Sequence, residues 1–483
     1  MLHISLDRTA KRTYTRQIYY GIRQKILSGQ LASGDALPPY RELSQELGVS
    51  KNTVLSAYDM LVADGVLRST AGSGFYVEEG MLRRPPFRPA IQQQSAALSD
   101  RIIPDGVINF DNGQPALELF PRAKWNKAVS AAMLDIPAAA LGYDLPQGRP
   151  ELRRALCAYL QKIQGVSCTP EQLLITSGAK QAITLAAECL LTGGKEVWIE
   201  DPDPTPLRQI LACRTGRIVS FPVDEHGLDP AGFPADGRPA LIITSPARQF
   251  PTGAIMPMKR RMALVAFAEW AGAYLLEDNF ESEFNYDAPP ASSLYELAPE
   301  RVLSAGTFSK VLYPSVRLGY LMAPPALMPL LCQQKRLSDH HTNPVYQLAL
   351  TAFLEDGTLE KHVRRMKREY RGRRDHLIAC LHREFGERVR ISGTASGMNL
   401  VAAFRGVCFT DEAVQKLLRC GVYAVPVERQ GQRTNELILR YAGMTRDALS
   451  LGAERLRAGI EGAPADTLEL FSNFVAEKRN YAY

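Results

Sequence analysis

The sequence predicts an α/β fold in two parts. A small winged helix-turn-helix unit comes first, followed by a larger unit with a mostly parallel central sheet and a smaller C-terminal α/β part. Three observations carry this. Two short helical segments joined by a glycine turn precede a pair of short strands within residues 14–77. Beyond residue 170, apolar runs of strand length alternate with helical segments, the pattern of a sheet covered on both faces. Between the two lies a proline- and glutamine-containing stretch with no period.

At 483 residues the chain is too long for one ordinary domain. It is 46% hydrophobic, 22% charged and 8% aromatic, which is the composition of a soluble globular protein. No apolar run approaches the roughly 18 residues that span a bilayer, so no membrane segment is expected and the location expected is the cytoplasm. The eight cysteines are scattered with no C-x-x-C pair, which argues for reduced thiols and against a metal site. The net charge of +6 is uneven. Residues 1–90 hold 12 Lys and Arg against 8 Asp and Glu, while the remaining 393 hold 45 against 43. An anionic partner for the N-terminal part is compatible with that asymmetry.

In the first unit, "YTRQIYYGIRQKILS" places Ile18, Ile22, Ile26 and Leu27 at helical spacing. "PYRELSQELG" reads as a short helix ending at Gly48, and Ser50 caps a second helix that stops at Gly65. Helix, turn and helix form a helix-turn-helix, and "VLRSTAGSGFYVEE" supplies a two-stranded wing. In such units the second helix enters the major groove with its N-terminal residues nearest the bases. Here those are Ser50, Lys51, Asn52 and Thr53, and Arg41 on the preceding helix is placed to hold a phosphate. The string "LPPYRELSQELGVSKNTV", with "GSGFYV" at 72–77, closely resembles the winged-helix domain of the GntR regulators. That resemblance implies that Arg41, Lys51, Asn52 and Thr53 contact double-stranded operator DNA, and that Gly74 lets the wing approach the minor groove.

The domain boundaries expected are 10–78 for the winged helix-turn-helix and 79–106 for a linker. An effector unit then fills 107–483, its large part about 140–335 and its small part about 336–483. The runs "LLITS", "EVWIE", "IVSFPV", "ALIITS", "YLLED", "VLSAG" and "LGYLMAP" are the expected strands of the large part. In a sheet of this kind ligands sit at the carboxyl ends of the strands.

Lys310 follows the strand "VLSAG" in "GTFSKVLYPSVRLGY". A buried lysine is costly unless used, and a Schiff base with an aldehyde is one such use. Pyridoxal phosphate needs a lysine for its aldehyde, an acid for its pyridine nitrogen, an anion site for its phosphate and contacts for its ring. Asp278 ends the strand "YLLED" and would open on the same sheet edge as Lys310. The stretch "TSGAKQA" runs from a strand through glycine into a helix, so Ser177, Gly178 and Ala179 offer backbone N–H groups to a phosphate. Thr307, Ser309 and Arg317 flank the lysine and would add hydroxyl and guanidinium contacts.

The ordered strings "YDLPQG", "SGAKQA", "PTG", "EDNFESEF", "FSK" and "RLGY" resemble the fold-type I aminotransferases. "WIEDPDP", "ARQFPTG", "RRMALVAFA" and "GTFSKVLYPSVRLGYL" are similar to the narrower MocR/GabR-type regulators. In that family a GntR-type winged helix is joined to an aminotransferase-like domain that binds pyridoxal phosphate and senses an effector. By this resemblance Lys310 is the Schiff-base lysine and Asp278 the pyridine-nitrogen partner. Ser177, Gly178 and Ala179 begin the phosphate cradle, which Ser309 and Arg317 complete. The resemblance also implies a head-to-tail, domain-swapped homodimer.

The sequence departs from the family at the ring. Phe280 stands where the family has a tyrosine beside the cofactor's phenolic oxygen, and Pro204 stands at a second tyrosine position. Arg248 replaces the usual histidine. For an effector carboxylate, Arg440, Arg208 and Arg248 are all candidates. The expected function is a transcription regulator sensing a small amine or amino acid through the Lys310 Schiff base, with transamination feeble or absent. An active aminotransferase carrying a DNA-binding head is the alternative. A third possibility is a relic cofactor domain that only dimerises the heads.

Overall fold

The computed structural model describes residues 2, 4–8, 10, 12–70, 74–79, 103–215, 217–287, 292–429, 431 and 433–462. It divides into two compact units, 1–100 and 101–483. Residues 71–73 at the tip of the expected wing and residues 80–102 of the expected linker lie outside the described residues.

In the first unit α1 spans Tyr14–Leu27, α2 Tyr40–Leu47 and α3 Lys51–Ala63. Strands β1 (Leu67–Thr70) and β2 (Gly74–Val77) pair antiparallel. Ile18, Ile22 and Ile26 are buried as their spacing predicts, but Leu27 is exposed and Tyr19 takes the fourth core position. The apolar stripe is therefore rotated by a fraction of a turn toward Tyr19. Ser50 caps α3, its side chain accepting from Thr53 N at 3.1 Å, and Gly48 closes α2 in the left-handed region. Val54, Ala57, Tyr58 and Leu61 turn one face of α3 into the core and leave Lys51 and Asn52 in solvent.

The second unit opens with β3 (Ile108–Asn109), α4 (Arg122–Asp135) and α5 (Pro150–Gln164). Strand and helix then alternate through β4 (Leu173–Thr176), α6 (Ala179–Leu190), β5 (Val197–Asp201), α7 (Thr205–Ala212), β6 (Ile218–Asp224) and β7 (Gly227–Leu228). The alternation continues through β8 (Leu241–Thr244), α8 (Met258–Ala271), β9 (Tyr274–Asp278), α9 (Leu294–Leu297), β10 (Val302–Thr307) and β11 (Gly319–Met322). These strands form one eight-stranded sheet in the order β4, β11, β10, β9, β8, β5, β6, β7. The run from β10 through β9, β8 and β5 to β6 is parallel, while β11 is antiparallel to β10 and to β4. The sheet is thus mostly parallel with two reversed strands, β7 at its edge and β11, which carries the chain back from the Lys310 turn. Residues of β4, β8 and β10 are buried throughout, as expected for strands covered on both faces.

Helices α10 (Met328–Asp339), α11 (Pro344–Glu355) and the 28-residue α12 (Thr358–Phe385) lead to the smaller part. Its strands are β12 (Val389–Ser392), β13 (Asn399–Phe404), β14 (Val422–Tyr423), β15 (Val425–Pro426) and β16 (Glu436–Arg440), with α13 (Asp411–Arg419) and α14 (Arg446–Glu461). Strands β12, β13, β16 and β15 form an antiparallel sheet in that order. The short β14 instead pairs with β3, so the segment beginning at Ile108 belongs with the smaller part although more than 300 residues separate the two strands. Arg440 N donates to Phe110 O at 3.0 Å, which brings residues 110–113 against the end of β16.

Candidate functional site

Because β4, β5, β8, β9 and β10 run the same way, their last residues share one edge of the sheet. A cavity of about 430 Å³ opens there, lined by Lys310, Asp278, Gly178, Arg317, Phe280 and Arg440 among others. Both parts of the second unit contribute, since Asn399 and Arg440, paired in register, close it from the smaller sheet.

Lys310 leaves the turn after β10 and donates from Nζ to Gly113 O at 2.7 Å. Burial pushes its ammonium below the ordinary lysine range; Glu281 opposes the shift, and Arg440 and Lys180 add to it. Asp278 closes β9. Burial pushes its carboxyl up to about 7, with Glu200 and then Glu281 adding repulsion. Its Oδ1 is buried and has no hydrogen-bond partner. An orphaned acceptor of this kind calls for a donor from a ligand. The neighbouring Glu200 is satisfied, accepting from Thr244 Oγ1 and from Ser245 N, and burial still raises it to about 7.

The anion side is built from two turns. Gly178 caps α6 at φ +114°, a conformation that side chains rarely adopt. A Cβ placed there would stand 3.4 Å from Arg317 Nη1. Arg317 itself sits at φ +51°, one of two non-glycine residues with positive φ among those described. Ser309 N donates to Thr307 Oγ1 at 3.2 Å, and Thr307 Oγ1 donates to Ser309 Oγ at 3.0 Å, so Thr307 braces Ser309. Gly178, Ala179, Thr307, Ser309 and Arg317 all line the cavity. Ser177 does not. Its hydroxyl donates to Asp339 at 3.4 Å and its N–H to Gln181 Oε1 at 2.8 Å, behind the cradle.

The three candidate arginines separate cleanly. Arg440 faces the cavity, lies 5.3 Å from the Phe250 ring and 3.6 Å from Asp111, and has a buried Nε with no hydrogen bond. Arg208 ties α7 to its surroundings by donating to Asp203 and Ser220, outside the cavity. Arg248 is buried, donates to Ser396 O and Asn399 at 2.9 Å, and sits 3.3 Å from Glu281. It therefore holds Glu281, which also accepts from Met398 N at 3.0 Å, and does not itself reach the open space. Phe280 packs with Phe250, Val401, Val427 and Ile438, Pro204 caps the start of α7, and both line the cavity.

Gly113, Asn112, Glu281, Met398 and Asn399 also line the cavity. No local pattern marks these residues; they arrive through the β3–β14 pairing and the Arg248–Glu281 contact, which join segments distant in sequence.

In the N-terminal unit Arg41, Lys51 and Asn52 are exposed. The hydroxyls of Ser50 and Thr53 lie 2.8 Å apart and are engaged in capping. Gly74 has φ +106° with open space around its Cα, so backbone conformation rather than crowding favours glycine.

The residues fit pyridoxal phosphate: an orphaned acid for the pyridine nitrogen, a desolvated lysine for the aldehyde, and a glycine turn with an arginine for the phosphate. Residues 14–77 match the bacterial regulatory proteins of the gntR family, and residues 105–456 match aminotransferase class I and II. The chain is 31% identical to the probable rhizopine catabolism regulatory protein MocR of Rhizobium meliloti, over 94% of this chain and 95% of that protein. It is 32% identical to the pyridoxine biosynthesis transcriptional regulator PdxR of Corynebacterium glutamicum, over 77% and 80% respectively. The crystal structure of the α-aminoadipate aminotransferase LysN of Thermus thermophilus, complexed with N-(5'-phosphopyridoxyl)-L-leucine, aligns with a TM-score of 0.68 at 28% identity. That alignment covers 76% of this chain and 94% of LysN. Among the described residues no helix is long and apolar enough to cross a membrane. A DNA-binding head of the gntR type and a pyridoxal phosphate domain of the aminotransferase type, matched together along nearly the whole chain, place it in the family of MocR-type transcriptional regulators.

Proposed function

We propose that this regulator senses a small amine or amino acid at the Lys310 cavity and couples its arrival to operator binding. The orphaned Oδ1 of Asp278 in the same cavity as Lys310 carries this reading. The proposed boundaries are 10–78 for the DNA-binding head, 79–106 for the linker and 107–483 for the sensing unit, working in the cytoplasm.

When bound, pyridoxal phosphate supplies an aldehyde open to amines and a ring that draws electron density. Lys310 would hold that aldehyde. Because burial lowers its pKa, a larger share of Nζ is the neutral amine at a given pH than for an exposed lysine. Asp278 would hold a proton at the pyridine nitrogen, and the positive charge there would draw its own carboxyl down from about 7. Gly178 and Ala179 offer N–H groups at the start of α6, and Ser309 and Arg317 add a hydroxyl and a guanidinium for the phosphate. Thr307, which also lines the cavity, braces Ser309 and would add a hydroxyl to the phosphate site, while Ser177 supports the start of α6 from behind. Arg440 is the proposed fork for an effector carboxylate, its Nε free of any hydrogen bond. In the head, Arg41, Lys51 and Asn52 would meet DNA, while Ser50 and Thr53 hold the helix end that presents them.

A homodimer is part of this proposal. Leu134, Tyr143 and Leu337 are 84%, 85% and 73% exposed in the single chain, an apolar outlay that a second copy would cover. Sedimentation of the pure protein tests it, a monomer counting against it.

The function itself is tested by recording the visible spectrum while amino acids and amines are added, then repeating DNA binding with each hit. A ligand that moves both signals is the expected result. Stoichiometric turnover with a keto acid would instead favour an active aminotransferase.

A further inference from the structure

The segment before α1 carries a positive charge to the helix-turn-helix from outside the part of the chain that matches the gntR family, which begins at residue 14. Leu2 is buried in the core of the first unit, and Ile4 and Leu6 pack against it. Ile4 lies over Gly21 of α1, where a Cβ would stand 2.9 Å from its Cγ2. Gln17 then clamps the chain from both sides. Its Oε1 accepts from Asp7 N at 2.8 Å, and its Nε2 donates to Asp7 O and to Arg12 O, both at 2.9 Å. These anchors make residues 4–8 a fixed arm.

Arg8 is exposed at the end of that arm. Its Nη2 lies 3.7 Å from the point that a Cβ on Gly48 would occupy. Gly48 closes α2 two residues before Ser50, the N-cap of α3, so the guanidinium stands beside the turn that presents Lys51 and Asn52. Among the described residues no carboxylate pairs with Arg8. The chemistry that suits an exposed, unpaired guanidinium at the rim of a DNA-reading turn is a phosphodiester oxygen.

We propose that the N-terminal arm is a second element of the DNA interface and that Arg8 contacts a backbone phosphate next to the α2–α3 turn. A contact to phosphate positions the head on the duplex and carries no sequence preference. It therefore operates on any duplex.

The test uses full-length protein and a labelled mixed-sequence duplex, with the binding constant followed over a range of salt concentrations. The wild-type salt dependence checks the underlying DNA-binding reading separately. Loss of one phosphate contact lowers the slope of log K against log salt by about 0.9. Arg8→Gln is expected to show that decrease, and Arg8→Lys, which keeps a cation on the arm, to retain most of the slope. Gln17→Ala, which releases the arm, is expected to weaken binding in the wild type and to add nothing in the Arg8→Gln background. A wild-type slope in Arg8→Gln overturns the proposal, as does an equal loss in Arg8→Lys. If Arg8 served only the α2 terminus, Arg8→Gln would lower the melting temperature and leave the slope alone.

Discussion

The two sides of the cavity differ in chemistry. One, made of the turns that follow β4, β9 and β10, carries Gly178, Asp278, Ser309, Lys310 and Arg317, each offering a donor, an acceptor or a nucleophile. The other is apolar: Pro204, Pro206, Leu207 and Ile210 at α7, with Phe280 just after β9, and none of these has a side-chain hydrogen-bonding group. The difference separates two tasks. The polar side carries the residue types that a cofactor's phosphate, ring nitrogen and aldehyde call for, whereas the apolar side offers only contact area.

That contrast can be broken at its strongest point first. Lys310→Ala should abolish covalent retention, so that the visible band of the pure protein falls to baseline after dialysis against pyridoxal phosphate-free buffer. Arg317→Ala comes next. Charge-assisted hydrogen bonds are worth about 1.5–3 kcal/mol, so affinity for the cofactor should drop roughly 10- to 100-fold by spectroscopic titration. A smaller change would mean that the α6 terminus holds the phosphate largely unaided.

Arg440→Ala addresses the boundary between the sides. It should weaken the spectral response to amino acids by about tenfold and spare simple amines, as expected for loss of one carboxylate contact. Equal weakening of both ligand classes would remove Arg440 from effector recognition.

Asp278 and Glu200 give the polar side a pH signature. Each carboxyl is raised to about 7 in the cofactor-free fold, so between the ordinary carboxylate range and pH 7 the folded state binds protons that the unfolded state has released. Stability of the cofactor-free protein should therefore fall as pH rises through that window and level off above 7. Asp278→Asn should flatten the fall, read as the thermal midpoint against pH.

The smallest change belongs to the apolar side. Phe280→Tyr would add a hydroxyl to the Phe250, Val401, Val427 and Ile438 cluster. It is expected to shift the pH titration of the visible band by about one unit or less, the scale of a single hydrogen bond. An unchanged spectrum and titration would show that Phe280 is remote from the ring.

The polar side was largely legible in the sequence because its parts are local. A strand ending in Asp278, a glycine between β4 and α6, and a lysine after β10 each mark themselves by position, and parallel strands bring such ends together. The recognition helix was legible for the same reason, with Ser50 capping α3 three residues before Thr53. What escaped depends on distant pairing. Gly113 meets Lys310 because β3 joins β14, and no periodicity within either segment announces a pair more than 300 residues apart. Arg248 illustrates the same limit. Its charge suggested an effector fork, yet Glu281, Ser396 and Asn399 enclose it, and those partners come from two other strings of the chain.

Arg317 also sets the direction in which selection could pull this protein. A left-handed backbone at a non-glycine residue costs about 1 kcal/mol or more, which glycine would recover. Stability and ligand capture thus favour different residues at one position. A lineage improved only for heat resistance would drift toward glycine at 317 and become a sturdier protein with a weaker grip on its cofactor.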